Sequence, residues 1–429
     1  MSIHKNSIIA TFVLSLFTDP SIFPKYVGLP INSYVVFVAS LLVCQISVVT
    51  SRNSAQVNRQ FLRKALIILI YGVTSIAYRF LFGQTVGDLS LHIIALLSLL
   101  LFLLTISNPT YRTAFVFAVY FAGFLHLITL FNDPFGFRSN LTAALSGYEY
   151  GAGGLSASAR RETGLFPAPA MLVVFSIVLL DVAVFDLLNH RRTLLSYFGI
   201  GSSLILGVST FNRSFVIALL VAGILLKGYA GNKRRVLFVV GVSAMILIGG
   251  ISSEYTEFIG SRFVVIIDNG MEATQRWTGD TGILTGLEIF WANPWFGNPT
   301  TPNGGTLVAL GNEQQFVNSH NGLVLILAVY GLIGGAPLLS MYMISLIAAT
   351  RGIIKKLQSR AIFITVQDRN ELKVLFGIIS ISILPINMVE PLPEYGLMLA
   401  MSLAPFLAEG YLNNQHSIEL KFVEPIVKQ

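Results

Sequence analysis

Six histidines occur in 429 residues, and one of them, His320, stands with Asn321 directly ahead of a long apolar run in "QQFVNSHNGLVLILAVYGLIGGAPLL". A histidine titrates near pH ~6.5 when unperturbed, so it can take a proton from a hydroxyl at neutral pH. At the lip of an apolar helix it would meet lipid and water alike. A histidine at a helix start, satisfied by backbone contacts, accounts for the same placement. A second signal is "STFNRSFVIALL", where Arg213 falls between two apolar runs joined by almost no loop. Its planar guanidinium suits phosphate, and Ser214 with the N–H groups opening the next helix would add donors to an anion there. The plainer reading of Arg213 is a turn residue capping the carbonyls of the preceding helix.

Other chemistries find no residues to carry them. There is no GxxxxGK[ST] phosphate loop, and "GAGG" at 151 to 154 follows no strand, which argues against nucleotide hydrolysis. Neither an HExxH pair nor an Asp-x-Asp pair is present, and Cys44 is the single cysteine. Any transfer reaction is therefore expected to run without a metal and without a cofactor. His92 and His126 lie within apolar runs and read as packing residues. Gly331, Gly334 and Gly335 with Pro337 allow close helix approach or a kink, and packing is the default.

The elements that would position these residues are membrane helices. A hydrophobic fraction of 54%, a charged fraction of 11% and a mean hydropathy of +0.72 exclude an ordinary globular composition, in which roughly a quarter of residues are charged. Apolar runs of the ~20 residues needed to cross a bilayer fall near 7 to 24, 32 to 50, 65 to 83, 88 to 107, 113 to 131, 166 to 188, 193 to 210, 214 to 229, 236 to 252, 321 to 349, 374 to 390 and 395 to 412. The expected fold is an all-α polytopic membrane protein of about twelve spans, one integral membrane domain over 1–429. The opening "MSIHKNSIIATFVLSLF" has a basic start but no small-residue cleavage site, so it reads as a retained first span.

A net charge of +7 and a pI of about 9.4 could suggest nucleic acid, but in such a chain basic charge reports topology. Threading the spans with the amino terminus inside puts about 20 of the 28 Lys and Arg residues on one face, including "NHRR", "GNKRR" and "RGIIKKLQSR". That face is expected to be cytoplasmic, with both termini on it. Lys25, Arg79, Arg138, Arg160, Arg161, Arg213, Arg262 and Arg276 remain on the opposite face, seven of the eight being arginine. The bias suits anion recognition outside the cytoplasm; anchoring of loops to lipid headgroups is the alternative. Two external segments are long, 132–165 and 253–319. The second holds "RWTGDTGILTGLEIFWANPWFGNP", whose tryptophans and apolar residues fit a helix against the membrane surface.

These segments together resemble the O-antigen ligase and polymerase superfamily. "SHNGLVLILAVYGLIGG" is similar to that family's His-Asn helix with its Gly-x-x-Gly segment, and "RWTGDTGILTGLEIFWANPWFGNP" to its arginine, apolar helix and Pro-x-x-Gly ending. "STFNRSF" resembles its short arginine turn, with Asn212 and Ser214 flanking the arginine. "RRETGLFPAPAMLVV" is similar to its Gly-x-Phe-x-x-Pro segment, with Ala168 where Asn is common. The resemblance runs from about residue 160 to 340. It implies a metal-independent, integral-membrane glycosyltransferase outside the bacterial inner membrane, whose donor is a saccharide on undecaprenyl pyrophosphate. His320 would then be the base and Arg213 and Arg276 the pyrophosphate ligands, with Asn321, Arg161, Arg262 and Ser214 binding substrate. A polymerase is the first expectation, with a chain-length regulator as a further partner beside membrane lipid and no nucleic acid. A ligase that moves the glycan to lipid A core is the second. A flippase or transporter is the alternative from another class, and it predicts internal repeats and mid-span charges that are scarce beyond Asp181 and Asp186.

Overall fold

The computed structural model describes residues 59–81, 109–131, 164–166, 169–189, 191–210, 213–230, 283–297, 306–310, 313–317, 321–358, 367–387 and 400–408, with a few isolated positions before residue 18 and between 96 and 103. The elements, in chain order, are α1 (Arg59–Leu81), α2 (Pro109–Phe131), α3 (Pro169–Leu188), α4 (Thr193–Ser209), α5 (Arg213–Ala230), α6 (Ile283–Ala292), β1 (Thr306–Leu310), β2 (Glu313–Val317), α7 (Gly322–Gln358), α8 (Gln367–Ser382), α9 (Leu384–Asn387) and α10 (Ala404–Ala408). Three of these helices contain segments long and apolar enough to cross a membrane: Thr113–Leu130, Ala170–Leu188 and Tyr330–Arg351. Shorter apolar helices cover Thr193–Ser209, Ser214–Lys227, Ile283–Ala292 and Val374–Asn387. The described residues are thus mostly helical, with several helices of a length and apolarity compatible with a membrane. The departure from an all-α expectation is a small antiparallel ribbon inside the 253–319 segment, β1 with β2, pairing Thr306 with Val317 and Leu310 with Glu313.

The chain divides into two compact units, Met1–Leu41 with Ala114–Ala273, and Leu42–Thr113 with Thr274–Gln429. The centre of the first unit is α3. Its sequence, PAMLVVFSIVLLDVAVFDLL, is apolar on every side, and its whole membrane-length window is buried. Proline opens both α2 and α3, at the position where a missing N–H costs nothing and a fixed φ suits the helix. At its other end, α3 turns into α4 through "NHRR". Arg192 takes a left-handed conformation (φ 46°), and its Nη1 donates to Asp186 Oδ2 at 2.8 Å. Tyr120 O–H donates to the same carboxylate at 3.2 Å, and the guanidinium lies 5.0 Å from the centre of the Phe117 ring. The ion pair closes the turn and ties it to α2. Ser203 Oγ–H donates to the Ser176 carbonyl at 2.6 Å, which pins α4 to α3.

In the second unit, α7, α8 and α10 pack together, and α1 rests on α7. Three helices of this unit contain prolines, Pro337 in α7, Pro385 in α9 and Pro405 in α10, and the helical pattern is interrupted beside the last two. A helical proline has no N–H and crowds the carbonyl one turn back, so neighbouring groups must supply the missing donors. The Ser402 carbonyl beside the interruption accepts from Ser345 Oγ–H at 2.6 Å and Ser380 Oγ–H at 2.8 Å. Asn387 Nδ2 adds bonds to Ser402 Oγ (2.5 Å) and the Tyr342 hydroxyl (3.3 Å). The ammonium of Lys64 caps the carbonyls of Phe406 and Leu407.

Candidate functional site

The arginine turn is as short as the sequence demands: α4 ends at Ser209 and α5 opens at Arg213. Thr210 Oγ1–H donates to the Gly207 carbonyl at 2.7 Å and Ser209 Oγ–H to the Leu206 carbonyl at 2.8 Å, so two side chains satisfy the end of α4. Phe215, buried in the first turn of α5, packs against Gly207 and holds the two helices close. Arg213 is thereby fixed in register at the start of a helix, where unpaired N–H groups carry partial positive charge. Ser214 is 5% exposed, at the opening of the same helix. Arg161 and Arg262 belong to this first unit by sequence and lie outside the described residues.

Asn321 belongs to the second unit. Its Oδ1 accepts from the N–H groups of Leu323 and Val324, both at 3.1 Å, so the residue expected to bind substrate caps α7. Asn before an apolar run is a standard helix-start signal, and that plainer role was legible in the sequence. His320 and Arg276 lie outside the described residues, as does His92.

The tryptophan segment is an apolar helix, α6, followed by the turn Asn293–Gly297. One side of α6 is buried through Gly286, Ile289 and Phe290, with Ile289 against Ala328 of α7. Trp291 and Trp295 are 70% and 62% exposed. The turn meets α7 at Gly331, whose φ of 62° and ψ of −165° break that helix. Leu332 N–H donates to the Pro294 carbonyl at 2.8 Å and Ile333 N–H to that of Trp295 at 3.1 Å. Residues 321–349 are therefore not one straight span. The Pro-x-x-Gly and Gly-x-x-Gly segments, 34 residues apart, are two halves of one contact.

His126 is a residue whose importance the sequence understated. It is fully buried toward the C-terminal end of α2, and its ring joins three stretches of the first unit. Leu165 N–H donates to Nδ1 at 3.0 Å, which leaves Nε2 to donate to the Phe17 carbonyl at 2.7 Å. Phe166 stacks on the ring at 4.7 Å between centroids. Gly164 has φ 58°, and a Cβ there would fall 2.4 Å from His126 Nδ1. The Gly-x-Phe-x-x-Pro segment is thus the seat of a histidine, with Gly164 making room, Phe166 stacking and Pro169 starting α3. The packing role expected of His126 is what is observed. Its partners are 39 and 109 residues away, and no local spacing marks them.

Among the described residues no cluster of His, Cys, Asp or Glu could hold a metal ion. No protein-family model matches the chain, and no curated protein sequence is significantly similar to it.

Proposed function

We propose that the chain is a polymerase of lipid-linked polysaccharide repeat units in the bacterial inner membrane. It would have about twelve spans, both termini in the cytoplasm and a periplasmic site. The observation that carries this reading is the interlock of 283–297 with 321–335, two segments on which the family resemblance independently rests. The exposed tryptophans beside that interlock and the arginine at the start of α5 support it further. The chemistry follows from the residue types. His320 takes the proton of an acceptor hydroxyl on the next lipid-linked repeat unit, and the freed oxygen attacks the anomeric carbon of the growing glycan. The bond from that carbon to the pyrophosphate oxygen breaks, and undecaprenyl pyrophosphate leaves. Arg213 and Arg276 stabilise the charge that grows on it, with Arg161, Arg262, Ser214 and Asn321 around the substrate. Pyrophosphate is already a good leaving group, so paired arginines suffice where a poorer one would need a metal.

The test is deletion of the gene in its native host, with lipopolysaccharide resolved on a silver-stained gel. A core carrying one repeat unit supports polymerase, and the wild-type gene restores the ladder while His320→Ala, expressed and inserted equally, does not. Bare core with polymer accumulating on undecaprenyl pyrophosphate would replace polymerase by ligase. An unchanged ladder in the deletion strain would remove both.

A further inference from the structure

The break in α7 does more than kink it. In a straight helix Ile326 and Gly335, nine residues apart, lie about 13 Å apart along the axis. Here a Cβ on Gly335 would come within 3.0 Å of the Ile326 carbonyl oxygen and 3.4 Å of its side chain. Ile326 is five residues before Gly331 and Gly335 four after it, so the two limbs near the pivot are about 7.5 and 6 Å long. Limbs of that length can touch only if they meet at an acute angle. Residues 322–330 form an arm folded back along the helix that follows.

Two features force the fold at Gly331. Its dihedrals lie in the region open to glycine, and a Cβ would sit 2.5 Å from Trp295 O and Gly297 N and 2.6 Å from Phe296 N. The Asn293–Gly297 turn occupies that space. It closes on itself through Gly297 N–H to the Asn293 carbonyl at 2.8 Å, and it accepts the Leu332 and Ile333 N–H groups that an unbroken helix would direct to residues 328 and 329. Pro337 is not the cause, since a proline disturbs the turn before it, back to residue 333, and the non-helical residue is 331.

We infer that Gly331 and the Asn293–Gly297 turn form a fold-back pivot that positions the Asn321 end of α7. As one continuous helix the 37 residues of α7 would extend ~55 Å, nearly twice the hydrocarbon thickness, and would hold Asn321 ~15 Å beyond Gly331. The pivot instead returns Asn321 to the level of the first turns of the membrane-length segment Tyr330–Arg351. On the polymerase reading, and resting on it, this keeps Asn321 beside the bilayer, where a lipid-linked donor lies. Gly331 is then a positioning residue that touches no substrate.

Electron–electron double resonance tests the pivot without reference to activity. Spin labels go on Leu323→Cys and Thr350→Cys in the full chain, with Cys44→Ser to remove the native thiol. A continuous helix separates the labelled positions by ~40 Å, and the fold-back holds them to no more than ~30 Å. In the otherwise wild-type protein the short distance is expected, and Gly331→Ala or Gly297→Ala should shift it toward ~40 Å. Simple loss of folded protein lowers the signal without moving the distance. A wild-type separation near ~40 Å overturns the fold-back, and a short distance unmoved in both variants overturns the assignment of the pivot. If Gly331→Ala does not accumulate, Gly297→Ala and the wild-type distance still decide. Because the distance is independent of glycan synthesis, a failed pivot and a failed polymerase reading remain distinguishable.

Discussion

Replacing His126 by phenylalanine keeps an aromatic ring between Phe166 and Phe175, whose centroids lie 4.7 and 4.9 Å from that of His126, but removes both ring nitrogens. Two backbone groups then lose their partner: Leu165 N–H, now 3.0 Å from Nδ1, and the Phe17 carbonyl, now 2.7 Å from Nε2. The site is fully buried, so water cannot substitute without rearrangement. Each stranded group costs about 1–3 kcal/mol, so the pair costs about 2–6 kcal/mol. Any crowding from the larger ring acts in the same direction. At 1.4 kcal/mol per decade, that lowers the ratio of folded to unfolded protein at least ~30-fold. Equilibrium unfolding in mixed micelles, followed by far-ultraviolet circular dichroism, reads this difference directly. A His126→Phe variant within ~1 kcal/mol of wild type would refute the reasoning, because it would mean that the two bonds do not hold the turn at Gly164–Phe166 to α2.

On the polymerase reading, if Arg213 binds phosphate through paired donors, Arg213→Lys is expected to lose nearly as much polymer formation as Arg213→Ala, since an ammonium cannot offer the fork of a guanidinium; full activity in the lysine variant would reduce Arg213 to a generic positive charge. The Ser402 carbonyl accepts from two serines, so Ser345→Ala and Ser380→Ala should each cost about 0.5–1.5 kcal/mol while the other bond remains. The double variant should cost more than the sum, because it leaves that carbonyl buried with neither serine donor, and a double-mutant cycle that is additive within ~0.3 kcal/mol would count against it.

Composition and periodicity in the sequence determined that this chain is largely helical, with helices long and apolar enough to cross a membrane, and where its clearest helices run. The expected runs 113 to 131, 166 to 188 and 193 to 210 correspond to α2, α3 and α4 within a few residues. Such runs are legible because lipid demands length and apolarity from each segment separately, with every backbone bond closed inside the helix. The arginine turn was legible for the same reason, since two adjoining runs leave room for little else. The break at Gly331 was not. The stretch from Asn321 to Leu339 has the composition of one span, and what breaks it is the backbone of residues 294 to 297, brought there by the packing of α6. Likewise His126 reads locally as a packing residue, and only the folded chain reveals that it joins Phe17 to the turn at Gly164. Both decisions belong to tertiary structure because they depend on backbone groups of distant residues, whose hydrogen bonds leave no mark on the local pattern of side chains.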